Sequence, residues 1–193
     1  MLDDMSNVTG AQWAVATGAA LTAAVIDVRQ RRIPNALTLP LLATGLLYAL
    51  LQKGLGGAAE SIIACVAVGL PYVLLFVFAG GGAGDAKMMG ALAAWLGLEA
   101  GIVVLVCVAT VGALFGVAHA ALKKQLRPML ARIGTAFYIM MAALCCGRKG
   151  WALVRADPQE NTRVRGEPLA MPYGPAIFIG VCIGAFVVRL WNG

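Results

Sequence analysis

From Gly57 to Ala79 the chain reads GAAESIIACVAVGLPYVLLFVFA, and it continues GGGAGDAK to Lys87. The first part carries one charge, Glu60, near its start, and is long enough for a membrane-spanning helix, which needs about 20 mostly apolar residues. The run then breaks at Gly80, Gly81, Gly82 and Gly84 and closes on Asp85. An ionised side chain at the centre of a bilayer costs about 2.5 to 3.5 kcal/mol on insertion scales, so a carboxylate at the membrane edge is kept for work such as catalysis or proton handling. A second aspartate has the same setting. Asp27 follows the apolar segment Ala11 to Ile26 and opens Asp27-Val28-Arg29-Gln30-Arg31-Arg32-Ile33-Pro34-Asn35.

Composition agrees with this reading. Of 193 residues, 61% are hydrophobic and only 12% charged, with a mean hydropathy of +0.84, too apolar for a soluble globular domain. The expected fold is all-α and polytopic, with about six transmembrane helices: Ala11 to Ile26, Ala36 to Gln52, Gly57 to Ala79, Lys87 to Leu98, Gly101 to Leu122 and Pro168 to Leu190. Residues 1–193 read as a single domain without an internal repeat. The N-terminus carries Asp3 and Asp4 instead of a basic region, so no cleavable signal peptide is expected. The net charge of +6 comes from short basic clusters between apolar segments, the pattern of loops facing an anionic leaflet and not of a nucleic-acid surface. None of the five cysteines forms a C-x-x-C pair, and Cys65, Cys107 and Cys182 lie inside apolar segments. Neither a metal site, a cofactor nor a disulfide framework is expected.

Lysines and arginines in short loops resist translocation and so orient the set. With the N-terminus outside, Lys87, the arginines of the Asp27 loop and the basic residues of 123–167 all face the cytosol. Only Lys53 and Arg189 lie outside. Residues 123–167 become a cytosolic loop, in which the apolar stretch 133–147 reads as a surface-lying or re-entrant segment. Both aspartates then fall on the cytosolic side and meet if their helices pack together, whereas Glu60 and Glu99 fall toward the opposite face.

Two carboxylates a few ångströms apart do not both ionise cheaply, so the pair keeps one proton and titrates as a unit. The ionised member can take a proton from an attacking water while the protonated member donates to a peptide carbonyl oxygen. The neighbours suit this chemistry. The glycines around Asp85, Gly82 and Gly84 among them, leave room for an extended substrate, and Lys87 places a positive charge two residues on. Pro34 ends any helix through Asp27, and Asn35 is expected to cap the following one through its side-chain oxygen. Pro172, Gly174 and Pro175 loosen the start of the last helix and free backbone groups for substrate or for Asp85.

On these residues the chain resembles the prepilin peptidases, membrane aspartic proteases that remove leader peptides from type IV pilins and pseudopilins. The resemblance rests on Asp27 to Asn35 with its Ile-Pro-Asn ending, the G-x-G-D sequence of Gly82 to Asp85 followed by Lys87, and Pro172-Tyr173-Gly174-Pro175. It implies that Asp27 and Asp85 are the catalytic pair. It implies a prepilin substrate with a basic leader ending in glycine and a hydrophobic helix, cut after that glycine at the cytosolic face of the inner membrane. Longer members carry paired C-x-x-C motifs and an associated methyltransferase activity. Lacking those cysteines, this chain resembles the short, peptidase-only branch of the Flp, or tight-adherence, type, for which no methylation is expected. Lipids and pilus-assembly machinery are the other implied partners. The alternatives from other classes are a proton-coupled small membrane transporter and a non-catalytic pilus or secretion assembly factor.

Overall fold

A computed structural model describes residues 8–79, 82–122, 134, 141 and 173–191. The expected cytosolic segment at 133–147 lies outside the described residues save for 134 and 141, and Pro172 lies outside them entirely. The described chain forms four long helices: α1 (Gly10–Gln30), α2 (Asn35–Ala79), α3 (Ala83–Leu122) and α4 (Gly174–Trp191). All four are long and apolar enough to cross a membrane. The fold is all-α, as expected of a membrane protein with this composition.

Helices α2 and α3 each double back. Gly57 packs against the carbonyl of Ala49, and a Cβ on Gly101 would stand 3.2 Å from Cβ of Ala93. Residues eight apart on a straight helix are separated by about 12 Å, so both contacts require a reversal between them. The turns fall at Gly54 (φ 65°, ψ −151°) and Gly97 (φ 79°, ψ 178°). Both sit in a region of backbone space that is essentially confined to glycine. The six segments expected from sequence therefore correspond to α1, the limbs 35–53 and 55–79 of α2, the limbs 83–96 and 98–122 of α3, and α4.

A helix that stops at a tight turn leaves its last carbonyls without partners. Here they are taken up by side chains from other helices. Ser61 Oγ donates to the Ala94 carbonyl at 2.9 Å, and Gln12 Nε2 donates to the Trp95 carbonyl at 2.6 Å. Trp95 Nε1 in turn donates to the Leu41 carbonyl at 2.8 Å while its ring stacks on Tyr48, centroids 5.2 Å apart. Lys53 and Glu60 pair at 3.2 Å across the Gly54 turn. This end of the bundle is thus held by polar staples, and Glu60 lies at it, near Gly97.

Packing elsewhere relies on small residues. Gly180 and Gly184 of α4, in a G-x-x-x-G spacing, lie against Val108 and Val104 of α3, which lets the two backbones approach closely. Helix α1 buries Ala16, Ala20, Ala23, Ala24 and Asp27, a stripe with helical spacing. Outward-facing side chains such as Leu51, Ile63, Val66 and Phe186 are large and apolar, which suits contact with lipid.

Replacing Gly97 with alanine forces a Cβ into that restricted region and should destabilise the fold by about 1 to 3 kcal/mol. It should read out as a lower thermal midpoint in detergent. Gly56→Ala, where a Cβ meets nothing within 4 Å, should leave the midpoint nearly unchanged.

Candidate active site

Asp27 was expected just beyond the first helix, but α1 continues to Gln30 and includes it. Arg29 and Gln30 are good helix formers, and the helix stops only where Arg31 adopts a left-handed conformation (φ 52°) and donates its N–H to the Asp27 carbonyl at 2.7 Å. Asp27 consequently stays on the buried face of α1, with 5% of its surface exposed. A carboxylate there needs a partner. It has one: the backbone N–H of Gly174 donates to Asp27 Oδ2 at 2.7 Å.

Gly174 is the first residue of α4, where N–H groups have no partner within the helix and the helix dipole favours negative charge. The next residue, Pro175, has no N–H to offer. Asp27 therefore caps α4 from another helix. The approach is close: a Cβ on Gly174 would lie 2.8 Å from Asp27 Cβ and 2.9 Å from Ala24 Cα.

Asp85 was expected before the fourth segment and instead occupies the first turn of α3, its N–H donating to the Gly82 carbonyl at 3.2 Å. An acidic residue at that position is favoured by the helix dipole. The two neighbouring glycines act separately. A Cβ on Gly82 would stand 2.5 Å from Asp85 Oδ2, whereas one on Gly84 would press 3.1 Å from Ile33 Cβ, so Gly84 lets the α1–α2 connection settle on α3. Ile33, just beyond the end of α1, thus packs beside Asp85, which puts Asp27 and Asp85 at the same end of the bundle, opposite Gly54 and Gly97.

Two expected roles change. Pro34, not Asn35, caps α2 through its carbonyl, which accepts from the backbone N–H groups of Leu37 at 3.1 Å and Thr38 at 3.4 Å. The Asn35 side-chain oxygen instead accepts from Lys87 Nζ at 3.0 Å, linking the start of α2 to α3. Among the described residues Lys87 forms no ion pair with Asp85.

Two tyrosines that sequence reasoning did not single out complete the site. Tyr72 of α2 and Tyr173 meet edge to face, centroids 6.2 Å apart. Tyr173 sits over Gly112 and its hydroxyl donates to the Val108 carbonyl at 3.4 Å. The available signal was Tyr72 itself, a polar atom within an apolar run, since a buried tyrosine hydroxyl ordinarily needs a partner.

Gly174→Ala should overpack this contact, costing about 1 to 3 kcal/mol, and should lower activity further than stability because it displaces Asp27. A thermal midpoint and a turnover rate measured on the same preparation test this. An unchanged rate would mean that the contact does not position the carboxylate.

The chain is similar to known proteins over part of its length. The chain is 39% identical over 99 residues to a prepilin leader peptidase/N-methyltransferase of Aeromonas salmonicida (strain A449), an alignment covering 48% of this chain and 34% of that protein. Proteins of the same name in Aeromonas hydrophila and Xanthomonas campestris pv. campestris are 38% and 35% identical over 99 and 97 residues, covering 48% and 47% of this chain and 34% of each relative. The chain thus matches only about a third of the length of these relatives. No solved structure matches it. The pattern of the type IV leader peptidase family matches residues 14–117, more than half of the chain, a stretch that includes Asp27, Tyr72 and Asp85. With more than half of its length matched, the chain belongs to the type IV leader peptidase family.

Proposed function

We propose that this protein is a membrane-embedded aspartic endopeptidase that removes the leader peptide from type IV, Flp-like prepilins and pseudopilins. The observation that carries this reading is Asp27, buried at a helix junction yet held by the Gly174 N–H at 2.7 Å, at the same end of the bundle as Asp85, whose neighbour Gly84 packs on Ile33 just beyond α1. A buried carboxylate fixed beside a second one is the arrangement that acid–base hydrolysis needs. Family membership supports a peptidase, and the printed names of the relatives support prepilin as the substrate.

In this mechanism a water lies between the carboxylates. The ionised member removes its proton as the oxygen attacks the peptide carbonyl carbon, and the protonated member donates to the carbonyl oxygen. Collapse of the gem-diol intermediate breaks the C–N bond: the proton taken from water passes to the leaving amine, and one of the gem-diol hydroxyls returns its proton to the carboxylate that had donated it. With the N-terminus outside and the six limbs crossing the membrane, the site opens at the cytosolic face of the inner membrane. The substrate helix then lies in the bilayer with its basic leader in the cytosol, and the cut falls after the leader glycine. The sequence carries no C-x-x-C pair, and we assign it no methyl transfer. Gly82 gives the substrate access to Asp85, while Gly84, packed on Ile33, joins Pro34, Asn35, Lys87, Pro172, Gly174 and Pro175 in supporting the site.

Asp27→Asn and Asp85→Asn should each lower cleavage of a Flp-type prepilin by at least about a hundredfold, with the proteins still folded and in the membrane. Mass spectrometry should find an unmethylated product beginning after the leader glycine. Substantial processing by either variant would remove the two-aspartate mechanism. In intact cells, cysteines at positions 29, 124 and 163 should be shielded from an impermeant thiol reagent and one at position 53 labelled. The reverse pattern would overturn the orientation.

A further inference from the structure

The hydroxyl of Tyr72 is the most conspicuous polar group that this mechanism leaves unused. Its side chain is 6% exposed, its oxygen is sealed, and it makes no hydrogen bond among the described residues. Leaving a buried hydroxyl unpaired costs about 1 to 3 kcal/mol, and such exceptions in native structures call for an explanation. Tyr173 does not satisfy it. The rings meet edge to face with centroids 6.2 Å apart, but no hydrogen bond joins the two hydroxyls, and Tyr173 donates its own proton to the Val108 carbonyl.

A complementary vacancy lies nearby. The Asp27 carboxylate accepts the Gly174 N–H, whereas the Asp85 carboxylate accepts no hydrogen bond among the described residues. Gly69, one turn before Tyr72, packs on the Ala86 carbonyl, a Cβ there standing 3.5 Å from it, as Gly90 packs on Cys65. The two helices therefore bring Tyr72 beside the first turn of α3, so an unpaired donor and an unpaired acceptor share one small region. Gly82 adds freedom, because it presents no side chain where a Cβ would stand 2.5 Å from Asp85 Oδ2. The carboxylate has room to turn on its own side-chain bonds.

From this geometry we infer that Tyr72 is a positioning residue for Asp85. In the active form of the site its hydroxyl donates to the Asp85 carboxylate and fixes that carboxylate's orientation toward the scissile carbonyl. Tyr173, seated on Gly112 and wedged edge-on against Tyr72, holds the donor in place. The two catalytic carboxylates would then be oriented by different donors, Asp27 by a backbone N–H and Asp85 by a phenol. This inference rests on the peptidase reading.

The test is Tyr72→Phe, which keeps the ring and removes the hydroxyl. Because that hydroxyl has no partner in the resting fold, its loss should leave the thermal midpoint unchanged or raise it. At the same time kcat for prepilin cleavage should fall more than fivefold with KM within twofold of wild type. A fall in kcat of fivefold or less, a lowered midpoint, or a loss carried by KM would overturn the inference. Tyr173→Phe serves as a comparison, since its hydroxyl already has a partner. An active wild-type protein with an equally active Tyr72→Phe variant would remove this inference alone. A folded wild-type protein that leaves prepilin uncut, as Asp27→Asn is expected to, would remove the peptidase reading and this inference with it.

Discussion

A single backbone N–H, that of Gly174, donates to Asp27 Oδ2 at 2.7 Å in a site shielded from solvent, and much of the architecture follows from keeping it there. A hydrogen bond to a charged group contributes about 1.5 to 3 kcal/mol, and a buried carboxylate stripped of its partner would cost several more. The bond requires the start of α4 to touch the end of α1, which excludes a side chain at position 174. It also requires α4 to run close beside α3. Gly180 and Gly184 against Val108 and Val104 supply that approach, and Tyr173 over Gly112 sets where α4 begins. The last helix, which lies beyond the stretch matched to the family, thus supplies the donor that holds one of the two carboxylates inside it.

The opposite end is held differently, and the difference fits the chemistry. Around Gly97 the carbonyls freed by the turn are bound by Ser61 and Gln12, and Trp95 is locked between Tyr48 and the Leu41 carbonyl. The Ala94 and Trp95 carbonyls are paired there, while Glu99 Oε2, two residues beyond Gly97, is buried without a hydrogen bond among the described residues. At the Asp27 end the Asp85 carboxylate and the Tyr72 hydroxyl are likewise left without hydrogen bonds among the described residues. A bundle whose turn is pinned by side chains from other helices is suited to accept a substrate at the opposite face without losing its fold.

Much of this was legible in the sequence. The apolar runs gave the limbs to within a few residues, and the two aspartates stood out because carboxylates are scarce in such segments. What could not be read has physical causes. Apolar periodicity marks where a segment is buried in membrane or protein but not where its helix stops, so Asp27 and Asp85 were placed just outside helices that in fact contain them. In a helix that is apolar all round, the buried face is disclosed only by small residues, as in the stripe Ala16, Ala20, Ala23 and Asp27. Asn35 looked like a cap because its residue type favours that role, but the Pro34 carbonyl was already available and Lys87 from α3 claimed the side chain. Tyr173 stands in the Pro172-Tyr173-Gly174-Pro175 motif with no role of its own, and Tyr72 goes unmarked, because their significance depends on a contact between residues a hundred positions apart.

The account stands or falls on the nearness of the two carboxylates, which double-cysteine cross-linking in native membranes would measure directly. With the native cysteines replaced, Asp27→Cys and Asp85→Cys should be joined rapidly by a short bifunctional thiol reagent. The pair Val104→Cys and Gly184→Cys provides the reference for an assembled bundle, since a Cβ on Gly184 would lie 3.7 Å from that of Val104, the usual spacing for a disulfide. Efficient linkage at both pairs is the predicted result. Linkage at 104 and 184 with none at 27 and 85, in a protein still in the membrane, would show that the fold does not bring the aspartates together and would contradict the account.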